Sequence, residues 1–379
     1  MKLKKVIIAP DSFKGVLSAK QATDIIASEI SVVFPDCEIV KMPIADGGEG
    51  SVETILSAIG GAVYTEKVRS PDDRQIDAFY GISNGAAVDA AADGVIAIIE
   101  MAQSSGITKQ DGLHPMTSTT YGFGQLIHAA LGRGAREFIL CIGGSATTDG
   151  GCGMAAALGV RFFNKQGGSF IPCGETLCDI DRIDVSEIDG RIAESVFTVM
   201  CDVDNPLFGL RGAAYIYGPQ KGADPEQVKL LDDGLRHYGS ILMDKKTVNL
   251  SPCLPGAGAA GGLGLGCIFY LNARLMSGIE AILELCDFEK HRLDADLIIT
   301  GEGKLDSQSF QGKVLSGILQ NAGDVPVWSI CGVCDIEDSV LRERGVTVFE
   351  TSEGVSIEES MSNGERYLRE AVRRACESI

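Results

Sequence analysis

Eight carboxylates in this chain stand beside glycines where short apolar runs end: Asp11, Asp46, Glu49, Asp149, Asp202, Asp204, Glu302 and Asp306. Ordinary turns account for a pair of such residues. Eight of them, in loops without bulky side chains, read as metal-coordinating and hydroxyl-activating groups gathered around phosphate. Phosphoryl transfer asks for that set: a divalent metal to neutralise charge, a carboxylate to orient or deprotonate the accepting hydroxyl, and cationic donors on the moving group. Lys14, Lys221, Lys304 and Lys313, each next to glycine or in a loop, are the candidate donors. Taken singly, any of these lysines reads equally well as a solvated surface charge.

The stretch Glu137–Gly159 (EFILCIGGSATTDGGCGMAAALG) organises the rest. An apolar run of strand length enters Gly143-Gly144-Ser145-Ala146-Thr147-Thr148-Asp149-Gly150-Gly151, and a helical pattern follows from Gly153. Strand, glycine loop and helix N-terminus together present backbone N–H groups and a positive dipole end, which favour an anion. Packing alone also explains one such loop. Standard nucleotide signatures are missing: neither Gly303-Lys304-Leu305 nor Gly312-Lys313-Val314 completes a Walker A sequence. Gly256-Ala-Gly258-Ala-Ala-Gly261 matches GxGxxG, but Pro252 and Pro255 stand where its strand belongs. The four histidines form no HExxH pair, Gly143-Gly144-Ser145-Ala146 is not a nucleophile elbow, and Cys331-Gly-Val-Cys334 has no second pair at zinc spacing.

A net charge of −19 excludes a nucleic-acid or anionic-membrane surface, both of which need a basic face. Any phosphate must then be held by backbone N–H groups, a few lysines and metal. Twelve cysteines without pairing logic, and the short apolar run after Met1-Lys2-Leu3-Lys4-Lys5, fit a reduced cytoplasmic protein with no signal peptide. The uncharged Val248–Ala273 stretch carries too much glycine and proline to span a membrane.

The elements positioning these residues read as α/β. Lys4–Ala9 and Glu38–Met42 are strands followed by helices. Val63–Arg69, Ile76–Ser83 and Ala86–Ala91 are short alternating strands, Gly94–Met101 is helical, and Thr117–Leu131 is a capped helix. Phe162–Pro172 is a hairpin, Val196–Val203 a strand and Pro225–Met243 a helix. Asp296–Thr300 is a strand ending in the loop Gly301–Asp306; two further strands and a closing helix, Glu358–Glu377, complete the chain. The simplest assembly joins residues 1–60 with 290–379 in one doubly wound parallel layer. Residues 61–289 are then an inserted α/β domain carrying the glycine loops, with a cleft between the two.

Seven segments together resemble the type I glycerate kinases of bacteria: Ala9-Pro-Asp-Ser-Phe-Lys-Gly15, Asp46-Gly-Gly-Glu-Gly50, Gly143–Gly151, Cys201-Asp-Val-Asp-Asn-Pro-Leu207, Gly218-Pro-Gln-Lys-Gly-Ala223, Pro255–Gly264 and Ile299-Thr-Gly-Glu-Gly303. Thr148 stands where that family usually has Asn, and Lys304 where Arg is common. The resemblance implies ATP-dependent phosphorylation of D-glycerate with Mg2+, and a flavodoxin-like domain with a large inserted second domain. From loop position and chemistry, glycerate is expected near Asp11, Ser12, Lys14, Gly47, Gly48, Glu49, Asn205 and Lys221, with Lys14 on its carboxylate. Asp202 is the first choice for the base and Asp46 the second. ATP phosphates are expected over Gly143, Gly144, Ser145, Thr147, Thr148, Gly256, Gly258, Gly261, Gly262 and Lys313, with Asp149, Glu302 and Asp306 on the metal. Small-molecule substrates follow from the same resemblance, and a monomer or homodimer is expected. Two rivals stay open: an NAD-dependent dehydrogenase using Gly256–Gly261, and a non-catalytic nucleotide or organic-acid sensor on a kinase scaffold.

Overall fold

The segment Lys5–Ile8 (KVII) is buried throughout, which requires its sheet to be covered on both faces, the condition of a parallel α/β layer. The computed structural model describes residues 3–84, 94–244, 253–310 and 314–379. Its strands in chain order are β1 (Lys5–Ile8), β2 (Glu38–Lys41), β3 (Ala62–Arg69), β4 (Gln75–Ser83), β5 (Val95–Glu100), β6 (Ala135–Cys141), β7 (Arg161–Phe163), β8 (Ser169–Phe170), β9 (Arg182–Asp184), β10 (Val196–Met200), β11 (Arg274–Met276), β12 (Leu297–Leu305), β13 (Val327–Cys334) and β14 (Val346–Glu350).

Chain ends build the first sheet, in the order β14-β13-β12-β1-β2, parallel throughout. Numbered within this layer the order is 2-1-3-4-5, the flavodoxin-like arrangement, whose winding reverses between β1 and β12. Ser18 caps the helix Ala19–Val33 with a reciprocal Gln21 bond, and that helix packs against Gly364–Glu377. Their contact holds the buried Glu29 carboxylate against Arg369 Nη1 (2.8 Å) and Arg373 Nε (2.7 Å).

The middle of the chain forms a six-stranded sheet, β11-β10-β6-β5-β4-β3, parallel from β11 to β5 and antiparallel beyond. A small antiparallel sheet, β8-β7-β9, lies apart and contains the expected hairpin. One buried cluster joins Ile7, Val52 and Ile298 from the first layer to Ile98, Ile139 and Met200 from the second, so the two sheets share a core. Loops at strand carboxyl ends meet above it: the Gly143 N–H after β6 donates to the Gly47 carbonyl after β2 at 2.9 Å. A side chain on Gly143 would press on Gly47 and Gly48, which is why this junction needs glycine.

Three expectations change. Gly94–Met101 is not helical; Val95–Glu100 is strand β5, buried between β4 and β6. A strand covered on both faces loses its alternation, so periodicity cannot separate it from a buried helix. Gly301–Asp306 is not a loop. β12 runs on through Leu305, paired with β13 as far as Cys334, because Gly301 and Gly332 let backbones approach where a Cβ would collide with the Ile330 and Gly303 carbonyls. The closing helix is broken at Asn363 into Ile357–Ser362 and Gly364–Glu377. The expected strand at Ala86–Ala91 lies outside the described residues. Among the described residues no helix is long and apolar enough to cross a membrane.

Candidate active site

Two chambers open where the strand carboxyl ends meet. The first, about 470 Å3, sits at the point where the winding of the flavodoxin-like sheet reverses, the usual place for a ligand in such folds. The loop after β1 supplies Asp11, Ser12 and Lys14; β12 supplies Glu302, Gly303 and Lys304, and Asp306 follows it. Asp11 is half-buried, and its Oδ1 accepts the Ser12 N–H at 2.6 Å. Loss of hydration raises the Asp11 pKa above the usual carboxylate range. The Asp46 charge adds to this, while the Ser12 N–H and Lys14 oppose it. Lys304 Nζ lies 3.8 Å from Asp306 and 3.6 Å from Asp335.

The second chamber, about 390 Å3, is lined by Gly143, Gly144 and Ser145, by Asp46, and by Cys201-Asp202-Val203 at the end of β10. Asp202 Oδ1 accepts the N–H of Gly278 (2.9 Å) at the start of the helix Gly278–Leu285, a contact that fixes the carboxylate. Crowding by the surrounding protein nevertheless raises its pKa, with Asp46 and Glu280 adding to the effect. Asp46 thus acts on Asp11 in one chamber and on Asp202 in the other. Among the described residues, the N–H groups of Gly144 and Ser145 donate to no protein acceptor.

Lys221 underlies the same loop. It is 2% exposed, and its Nζ donates to Ser145 Oγ (2.8 Å) and to the Thr147 carbonyl (2.6 Å). Burial lowers its pKa to about 7, against the opposing pull of Asp149. Lys221 therefore shapes the glycine loop from beneath while still reaching the chamber wall.

Several expected site residues serve the fold instead. Asp149 is fully buried; its Oδ2 accepts the Thr120 N–H (2.8 Å), the Thr120 hydroxyl (2.8 Å) and the Gly153 N–H (3.2 Å), and its Oδ1 the Gly151 N–H (3.1 Å). It caps the helix Cys152–Ala157 and reaches neither chamber, so the set Asp149, Glu302 and Asp306 does not converge. Among the described residues no three His, Cys, Asp or Glu side chains form a metal cluster. Gly256, Gly258, Gly261 and Gly262 line neither chamber, although Ala259 and Ala260 in the same segment line the second. A Cβ on Gly258 would strike the Pro206 carbonyl and one on Gly261 the Thr147 carbonyl, so these glycines serve close backbone packing. Asn205 is spent internally, donating to Arg211 O (2.8 Å) and accepting from the Tyr217 hydroxyl (2.5 Å). Thr147 and Thr148 are buried behind Ser145, Glu49 is exposed and lines neither chamber, and Gly47 and Gly48 form the turn at the junction. Lys313 lies outside the described residues.

Thr351, Ser352, Ile357 and Met361 line the first chamber, and Ile107, Tyr217 and Gln220 the second, although none stood out in the sequence. They are ordinary residues that tertiary contacts alone bring to a cavity. Only Gln220, inside the GPQKGA segment, carried a local signal.

An open α/β fold with carboxylates, lysines and a bare glycine loop gathered between two sheets defines a phosphotransferase acting on small molecules. Comparison with known proteins gives the group. The model of the glycerate kinase family matches residues 6–379. Glycerate kinase of Bacillus cereus (strain ATCC 10987 / NRS 248) is 42% identical over 370 residues, 96% of this chain and 95% of that one. Glycerate 2-kinase of Escherichia coli (strain K12) is 40% identical over 346 residues, 90% of this chain and 88% of that one. A crystal structure named for glycerate kinase 2 from Salmonella typhimurium LT2 superposes with a TM-score of 0.86 at 36% identity, covering 99% of this chain and 98% of the other. This chain belongs to the glycerate kinase family.

Proposed function

We propose that the protein transfers the γ-phosphoryl group of ATP to the 2-hydroxyl of D-glycerate, giving 2-phosphoglycerate and ADP. The observation that carries this reading is that Asp46 and Asp202 line one substrate-sized chamber with Gly143, Gly144 and Ser145, while Asp11, Lys14, Glu302 and Asp306 line another at the strand carboxyl ends. Asp202 accepts the hydroxyl proton as the oxygen attacks the γ-phosphorus, and the bond to the β–γ bridging oxygen breaks. The raised Asp202 pKa makes it a better proton acceptor than an ordinary aspartate. The relative named glycerate 2-kinase supports the 2-hydroxyl as acceptor.

Mg2+, when bound, would neutralise phosphate charge. Mg2+ is commonly held by one or two carboxylates together with phosphate oxygens and water, so the absence of a three-residue cluster among the described residues is compatible with it. Glu302 and Asp306 are the carboxylates that would hold it. The GxGxxG reading as a dinucleotide site is not favoured, since Gly258 and Gly261 are needed for close packing against the Pro206 and Thr147 carbonyls. Domain boundaries near residues 60 and 290 and a cytoplasmic location belong to this proposal. ADP release measured over a panel of small hydroxy acids tests the activity, and enolase added alone identifies the product, since only 2-phosphoglycerate is its direct substrate. No glycerate-dependent ADP release would end the proposal; a product untouched by enolase would move the phosphoryl group to the 3-hydroxyl.

A further inference from the structure

A general base must touch the hydroxyl it deprotonates. Asp202 and its alternative Asp46 both line the second chamber and not the first. The acceptor therefore belongs in the second chamber, where Ser145, Lys221 and the Gly144 and Ser145 N–H groups suit a carboxylate and hydroxyls. In-line transfer then requires the donor to approach from the opposite side.

The first chamber answers to that description. Its far wall is apolar, built from Val16, Leu17, Ile357 and Met361, and its hydroxyls are partly spent, with Thr351 Oγ1 and Ser360 Oγ bonded to each other at 2.9 Å. Glycerate has no apolar face to bury against such a wall; a nucleoside does. Lys14 and Lys304 line the same chamber as Asp11, whose carboxylate feels Asp46 across the junction. Its volume of about 470 Å3 is that of a small-molecule site. We propose that the first chamber seats the nucleoside of ATP, with its phosphates directed past Lys14 and Lys304 toward Asp46, and that glycerate occupies the second. This reverses the expectation that glycerate lies beside Asp11–Lys14. It rests on the ATP-dependent glycerate kinase reading.

Met361 and Ile357 are each 52% exposed, so a larger ring is tolerated by the fold at either place. The variants Met361→Trp and Ile357→Trp should raise KM for ATP about tenfold or more while glycerate KM moves less than about twofold; tenfold corresponds to about 1.4 kcal/mol of binding. Ile107→Trp, on the wall of the second chamber, should do the reverse. Titration with a fluorescent N-methylanthraniloyl ATP gives a readout independent of turnover: both first-chamber variants should weaken its binding, and Ile107→Trp should not. A rise in glycerate KM alone for the Met361 and Ile357 variants would exchange the two chambers. Unchanged constants for both substrates, in variants with wild-type urea midpoints, would empty the first chamber of any role. Wild-type protein that binds the fluorescent ATP but releases no ADP with glycerate would overturn the kinase reading while leaving the nucleoside assignment standing.

Discussion

Lys221→Met is the perturbation whose consequences the structure fixes most tightly. The substitution keeps a straight, apolar stem and removes a buried amine that donates to Ser145 Oγ and the Thr147 carbonyl. Leaving those acceptors unpaired costs about 1–3 kcal/mol. An opposite effect accompanies it. Moving an ammonium from its ordinary 10.5 to about 7 corresponds to roughly 5 kcal/mol, at about 1.4 kcal/mol per tenfold change in proton affinity. Between these two values the unfolded chain keeps the proton on Lys221 and the folded chain has released it. Stability of the wild type therefore rises with pH across that window, is flat above it, and carries the constant full penalty below about pH 7. The variant lacks this dependence. Above pH 10 it should be the weaker protein by about 1–3 kcal/mol, and below pH 7 the stronger one by roughly 2–4 kcal/mol. Urea denaturation followed by circular dichroism, at intervals from pH 7 to 10, measures both curves. Parallel curves for the two proteins would refute the reasoning, since they would mean that Lys221 titrates alike in the folded and unfolded chains.

Two further substitutions separate chemistry from architecture. Asp202→Asn keeps an oxygen for the Gly278 N–H but cannot take a proton, so turnover should fall at least ~10²-fold. In the wild type the acid limb of kcat/KM should lie above the usual aspartate value near 3.8, because the Asp202 pKa is raised, and the variant should lose that limb. A pH–rate profile for both proteins decides it, and a wild-type acid limb in the variant would clear Asp202 of the base role. Asp149→Asn turns an amide NH2 toward donors that now meet a carboxylate, and should cost about 1–3 kcal/mol in a urea titration. Wild-type stability combined with an altered Mg2+ requirement would instead return Asp149 to the metal.

Much of the fold was legible because its signals are local. The runs KVII and EIVK, each followed by a helical pattern, sit in one parallel sheet beside the strands of the last third of the chain, as their composition required. β5 was not legible: Val95–Glu100 is apolar on both faces, and only its neighbours β4 and β6 decide that it is a strand. The site shows the same division. Asp46, Asp202, Gly143 and Ser145 are marked by their loops and do meet at one chamber. The apolar wall of the other comes from Ile357 and Met361, in a helix nearly 350 residues from Asp11, and no local pattern distinguishes them from surface residues.

Asp149 shows why an acidic residue in a glycine loop misleads. A helix N-terminus favours an anion, and that preference is indifferent to whether the anion is a ligand or a side chain. Here the chain supplies its own: Asp149 takes the Gly151 and Gly153 N–H groups, and Thr120 Oγ1, held by the same carboxylate, takes the N–H of Met154 at 2.9 Å. The positive end of the Cys152–Ala157 helix is thereby neutralised before any substrate arrives. Lys221 lies under the same loop within electrostatic reach of Asp149 and ties down Ser145 and Thr147. A buried carboxylate and a buried amine together fix the loop from below, and what remains facing the chamber is Gly143, Gly144 and Ser145. For a chain of net charge −19 this has a direct consequence. The attraction for a substrate anion in that chamber then falls to two main-chain amides, the Ser145 hydroxyl and Lys221, which lines the chamber as well as shaping the loop.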